Sequence, residues 1–231
     1  MAERRFVLED FLEYLRMLGA SRADYVIIGG HAVAIWAQRY LAKEATLALG
    51  IPLPLLSKDL DLRAEESVAR ALATTLRTTL THAQFKKQPH MGKTRAIVIH
   101  LHGHSTTIEI LQRVPGLDLS ADEPPQGHVL RLPLEDIRVR VLDPVSLFIA
   151  KAHTYRDALE ANQAGRRNDG PHLRLLAALL PAYFAELDSR HAEGRIKIDP
   201  ATERVRLRGC VEFHGDALPL SPEELAGVRG A

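Results

Sequence analysis

Two aspartates and a glutamate are the residues of this chain whose types and spacing best suit chemistry. In Ser57-Lys58-Asp59-Leu60-Asp61-Leu62 polar and apolar residues alternate. An extended strand sends successive side chains to opposite faces, so Asp59 and Asp61 share one face and Leu60 and Leu62 the other. Aspartate is disfavoured in strands and adjacent like charges repel, so the pair needs a reason to be there. A divalent cation supplies one. Mg²⁺ prefers oxygen ligands from one or two carboxylates, completed by phosphate oxygens and water. A solvated strand face carrying two aspartates is the plain alternative. Upstream, Tyr25-Val26-Ile27-Ile28 has the length and composition of a buried strand, it ends at Gly29-Gly30, and His31 to Ala37 reads as helix. Strand, paired glycines and helix together bring backbone N–H groups and a helix N-terminus against an anion such as phosphate. Taken alone, the glycines would make only a tight turn.

The elements that must position these residues can be read in turn. Glu109 lies in Thr106-Thr107-Ile108-Glu109-Ile110-Leu111, the second strand of a hairpin that begins at Ile97-Val98-Ile99-His100-Leu101-His102 and turns at Gly103-His104. That hairpin places Glu109 beside the sheet carrying Asp59 and Asp61. His100, His102 and His104 fall at period two, either as exposed polar positions or as a three-imidazole face able to bind zinc. Lys86, Lys87, Lys93 and Arg95 gather around Gly92, either as a solvated loop or as a basic surface for a triphosphate or polynucleotide backbone. Residues 6–18 put Leu8, Phe11, Leu12, Leu15 and Leu18 on one helical stripe. The helix after the glycines is expected to run to about Leu49, where Gly50 and Pro52 stop it. A helix over about 65–80 follows the Asp strand, with Val68, Ala71, Leu72, Thr75 and Leu76 facing inward. Residues 115–134, rich in Pro, Gly and acidic side chains, read as a long loop. Ile137 to Leu142 alternates as a strand, and Asp143-Pro144 then opens a helix, with Asp as cap and Pro in the first turn. A further helix is expected from about Pro171 to Arg190, and alternation around Asp199-Pro200 suggests a basic terminal β-hairpin.

An apolar strand ending in Gly-Gly, an Asp-x-Asp strand and a third carboxylate on a later strand, in that order, resemble the nucleotidyltransferase superfamily with the polymerase-β-like core. The look is closest to its bacterial branch of abortive-infection and toxin–antitoxin nucleotidyltransferases. The resemblance covers roughly residues 20–185. One departure is that Gly30 and Asp59 are further apart than usual in the family, which marks an insertion around 39–56. The resemblance implies an α/β fold with a small mixed sheet flanked by helices. Asp59, Asp61 and Glu109 would hold Mg²⁺ or Mn²⁺ and carry catalysis, while Gly29, Gly30, Ser57 and Lys58 would bind the nucleotide. Lys151, in the helix opened by Asp143, matches the family's lysine that faces the phosphates. The family often has Lys-Asp at the start of the next helix, where this chain has Asn168-Asp169. His31, directly after the glycines, is either a nucleotide contact or a structural histidine. The implied reaction moves a nucleoside monophosphate from a nucleoside triphosphate to a hydroxyl on RNA, protein or a small molecule, and the resemblance to the toxin–antitoxin branch implies a cognate toxin or antitoxin as partner. A non-catalytic nucleotide-binding or partner-binding module that keeps the fold is the alternative.

Composition sets the outer limits. A 46% hydrophobic share among 231 residues is enough for a sizeable core. Lys plus Arg number 30 against 29 Asp plus Glu, so no global charge draws the chain to nucleic acid or membrane, and any such surface must be local. Cys210 is the only cysteine, which excludes an internal disulfide and fits a reducing compartment. No stretch approaches the roughly 20 apolar residues that span a bilayer, and a cytoplasmic protein is expected. The expected organisation is a catalytic core over 1–142, a helical segment over 143–190 and a tail over 191–231. Walker A, Gly-x-Ser-x-Gly and His-Glu-x-x-His are absent, which removes common rival chemistries.

Overall fold

The computed structural model describes residues 5–20, 24–76, 80–82, 95–117, 129–134, 137–163 and 168–231. Its helices are α1 (Leu12–Ala20), α2 (Gly29–Tyr40), α3 (Lys43–Ala48), α4 (Glu66–Leu76), α5 (Pro144–Glu160), α6 (Asp169–Ala192), α7 (Pro200–His214) and α8 (Pro222–Gly230). Its strands are β1 (Tyr25–Ile27), β2 (Leu60–Ala64), β3 (Leu80–His82), β4 (Arg95–Leu101), β5 (His104–Leu111), β6 (Val129–Leu134) and β7 (Ile137–Leu142). The seven strands form one mixed sheet in the order β3-β4-β5-β2-β1-β7-β6. Contacts β2–β5 and β1–β7 are parallel and the others antiparallel.

Two compact units divide the chain. The first, over 1–32, 54–114 and 118–142, holds the sheet. Alternation works here as the sequence suggests: Leu60, Leu62, Ile97, Ile99, Ile108 and Ile110 point to a buried face covered by α1 and α4. All five residues of the stripe expected over 6–18 are buried, although the element starts as a 3-10 turn at Leu8–Phe11. The second unit, over 33–53, 115–117 and 143–231, is helical. Asp143 caps α5 by accepting the Ser146 N–H at 2.9 Å, with Pro144 in the first turn. Along α6, Leu173, Leu176, Leu180, Tyr183 and Phe184 are buried, and Tyr183 meets the stacked pair Trp36 and Tyr40 edge-on.

Several expectations need correction; in α4, Ala69 and Ala73 are buried beside Val68 and Leu72, while Ala71 and Thr75 are exposed. The helix after the glycines does not run to Leu49; Ala42 takes an extended conformation and α3 starts anew, buries Thr46 and gives the Leu49 carbonyl to Arg174. Residues 129–134, expected inside a long loop, form β6 against β7. Pro133 obscured that strand, but β6 is the sheet edge, where a missing N–H is tolerated. The tail expected as a β-hairpin is helical, α7 and α8. Asp199-Pro200 is a helix start, with Asp199 accepting the N–H groups of Ala201 and Thr202, and burial of Glu203, Leu207, Cys210, Val211 and His214 follows helical rather than strand spacing. The three histidines do not share a strand face either: His102 sits in the β4–β5 turn with φ 50° and contacts Asp10, while His100 pairs with the Ser105 hydroxyl.

Candidate functional site

Asp61 lies on β2, whose parallel partner is β5, and the register sets Asp61 directly beside Glu109. Directly paired residues point to the same face, so the two carboxylates meet. Asp59 stands one residue ahead of β2 on the same side. Carboxylate oxygens of Asp59, Asp61 and Glu109 all lie within 4.8 Å of one another, with Asp59 buried and the other two half-buried. Three hard oxygen donors at this spacing fit a divalent cation such as Mg²⁺ or Mn²⁺.

Gly29 is tied to this cluster. The Ile28 N–H donates to the Asp61 carbonyl at 3.0 Å, bringing the end of β1 against the carboxylate strand. Gly29 itself has φ +68°, and a side chain there would overlap the Asp61 carboxylate. Glycine is required twice over, by backbone conformation and by space. With Gly30 it opens α2, so a helix N-terminus stands at the cluster, favourable to its negative charge. Ser57 donates to Asp59 Oδ1 at 3.4 Å, and Lys58 Nζ is 3.7 Å from Asp59 Oδ2 with more than half of its side chain exposed.

The other residues singled out by the sequence have the following surroundings. His31 is buried with its ring against Phe11, and burial pushes its pKa down to about 4, so it is a neutral packing residue. Arg95 belongs to no basic loop. It is buried on β4 and pairs with Glu66 at 3.1 Å; Lys86, Lys87 and Lys93 lie outside the described residues. Lys151, in the helical unit, has its ammonium 2.8 Å from Asp169 Oδ1, and both side chains are largely buried. Asn168 occupies the cap position of α6 without a side-chain cap bond. Arg63 escaped the sequence reading as a member of the acidic face. It follows Asp61 by two residues, the same alternation that pairs the aspartates, and burial lowers its pKa. Thr106, whose hydroxyl donates to the Lys58 carbonyl, left no sequence signal.

No family model matches the chain, and no curated protein matches it in sequence. Solved structures do. An antigenic nucleotidyltransferase-like protein from Paracoccidioides brasiliensis superposes with a TM-score of 0.50 at 13% identity, covering 97% of this chain and 95% of that one. A putative nucleotidyltransferase from Thermotoga maritima gives 0.41 at 13% identity over 72% and 96%. The antibiotic-resistance factor ANT(2'')-Ia, solved with adenylyl-2''-tobramycin, gives 0.43 at 16% over 86% and 98%. The chain therefore has a nucleotidyltransferase-like α/β fold, with an acidic triad on one face of its sheet. No described helix is long and apolar enough to cross a membrane.

Proposed function

We propose that the protein is a metal-dependent nucleotidyltransferase, which moves a nucleoside monophosphate from a nucleoside triphosphate to a hydroxyl acceptor. The observation that carries this reading is the meeting of Asp59, Asp61 and Glu109 at a glycine whose missing side chain leaves room for the Asp61 carboxylate. A Mg²⁺ or Mn²⁺ ion bound there would supply charge neutralisation for the phosphates. The backbone at Gly29 and Gly30, at the start of α2, would receive phosphate oxygens, aided by the Ser57 hydroxyl and the exposed ammonium of Lys58. The acceptor oxygen would attack the α-phosphorus, the bond from that phosphorus to the β-phosphate oxygen would break, and pyrophosphate would leave. Glu109 is the carboxylate we assign to take the hydroxyl proton.

RNA, a protein side chain and a small molecule all present such a hydroxyl, and a toxin–antitoxin role would follow from the first two. Incubation of the protein with each α-labelled nucleoside triphosphate, Mg²⁺ and a total RNA, protein or metabolite extract would assign the acceptor, with Asp61→Asn as control. Label transfer by wild type and none by the variant is expected. Failure of wild type to transfer label, together with metal-independent or absent nucleotide binding, would leave a non-catalytic module.

A further inference from the structure

Asp59 stands outside the paired register of β2, which begins at Leu60↔Ile108, so its position depends on what grips Ser57 and Lys58. On one side Phe6 and Ser57 exchange two backbone hydrogen bonds, at 2.7 and 2.9 Å. On the other the Thr106 hydroxyl of β5 donates to the Lys58 carbonyl. The N-terminal segment then folds back. One oxygen of Asp10 accepts the Val7 N–H at 3.1 Å, and the other lies 2.7 Å from His102 Nε2. His102 is in the turn of the same hairpin that carries Thr106 and Glu109. The contacts close a ring: from Phe6 to Ser57 and Lys58, across to Thr106, along β5 to His102, and through Asp10 back to Val7.

We infer that the Asp10–His102 contact is a positioning element of the carboxylate site, which fixes the spacing between the loop that presents Asp59 and the strand that presents Glu109. The inference rests on the metal reading above. A second feature of the hairpin supports it. Leu101 pairs with His104, so His102-Gly103 is a two-residue turn, with φ 50° and 77°. Asn-Gly is the favoured pair for such left-handed turns. Histidine gives up part of that preference and offers instead a ring nitrogen that reaches Asp10. The pair is peripheral to the core, with His102 60% exposed, so its removal should leave the apo fold nearly as stable.

The test is Mn²⁺ binding, followed by the paramagnetic resonance of the free ion, in wild type, His102→Asn, Asp10→Asn and the double variant. His102→Asn keeps a residue suited to the turn, and Asp10→Asn keeps an acceptor for Val7. Each single variant should bind Mn²⁺ about three- to tenfold more weakly, with the double variant no worse than the weaker single and the apo melting temperature within about 2 °C of wild type. Unchanged Mn²⁺ affinity in the single variants would overturn the inference. A loss of affinity that tracks a fall in apo melting temperature would reduce the contact to a structural one. Wild type that binds no Mn²⁺, or Asp61→Asn that binds it equally well, would instead overturn the metal reading itself, and this inference with it.

Discussion

Replacing Asp61 by asparagine should separate the metal site from the fold. Oxygens of Asp59, Asp61 and Glu109 lie within 4.8 Å of one another. At that distance two unit charges repel by about 1 kcal/mol in bulk water and about 3.5 kcal/mol at the effective dielectric near a protein surface. Asp61 has two such neighbours. The N-terminus of α2 and Lys58 offset part of this repulsion, and salt screens more of it. Neutralising Asp61 should therefore relieve about 1–2 kcal/mol, and asparagine keeps the shape that Gly29 accommodates. For a chain of this length that is an apo melting temperature higher by about 4 °C. A bound cation acts in the opposite sense: at a hundredfold excess over its dissociation constant it stabilises wild type by about 2.7 kcal/mol. Thermal melts in EDTA and in excess Mg²⁺ read both effects. Wild type should gain from Mg²⁺, while Asp61→Asn should start higher in EDTA and gain little. A variant that melts lower than wild type in EDTA, yet still gains from Mg²⁺, would refute the reasoning.

Gly29→Ala combines a left-handed backbone with overlap on the Asp61 carboxylate; it should cost at least about 2 kcal/mol in denaturant unfolding and abolish the Mg²⁺-dependent gain. Glu203, buried on α7 near Asp143 and bonded to Arg206, has its pKa pushed up to about 7, first by burial and then by Asp143. Its fold contribution is complete below the ordinary carboxyl range and is lost as pH rises through 7, by about 3 kcal/mol for a shift of this size. Glu203→Gln should flatten that slope and equal or exceed wild-type stability at pH 8.5; an unchanged slope in urea titrations across pH 5 to 8.5 would contradict it. Lys151→Met takes the ammonium from beside buried Asp169 and should cost about 3 kcal/mol, with Asp169→Asn in the same chain recovering most of it. Undiminished stability with weakened triphosphate binding would instead support the expected contact of Lys151 with the nucleotide.

The carboxylate cluster was legible because its signal is local. Alternation in Asp59-Leu60-Asp61-Leu62 and in the strand of Glu109 assigns each acid a face, and a parallel pairing that puts Asp61 beside Glu109 does the rest. The glycine turn was legible in kind, and the packing adds a reason that the sequence does not carry: a side chain at Gly29 would overlap the Asp61 carboxylate. Asp-Pro shows where local pattern fails. At Asp143-Pro144 it was read as a helix start because an apolar run follows, and at Asp199-Pro200 as a turn because Val205 to Arg208 alternates. Both are capped helices, and the second hides because its buried positions include Glu203 and His214, which no hydrophobic pattern marks. Lys151 shows another limit. A lysine's position on a helix follows from spacing, but its partner comes from a different helix, at Asp169, and only the packing of α5 on α6 brings the two together. The contacts around Ser57 and Lys58, just ahead of Asp59, have the same origin. Phe6, Asp10, His102 and Thr106 are ordinary residues in sequence, far apart along the chain, and they acquire a role only where the N-terminal segment and the β4–β5 hairpin meet the loop before β2.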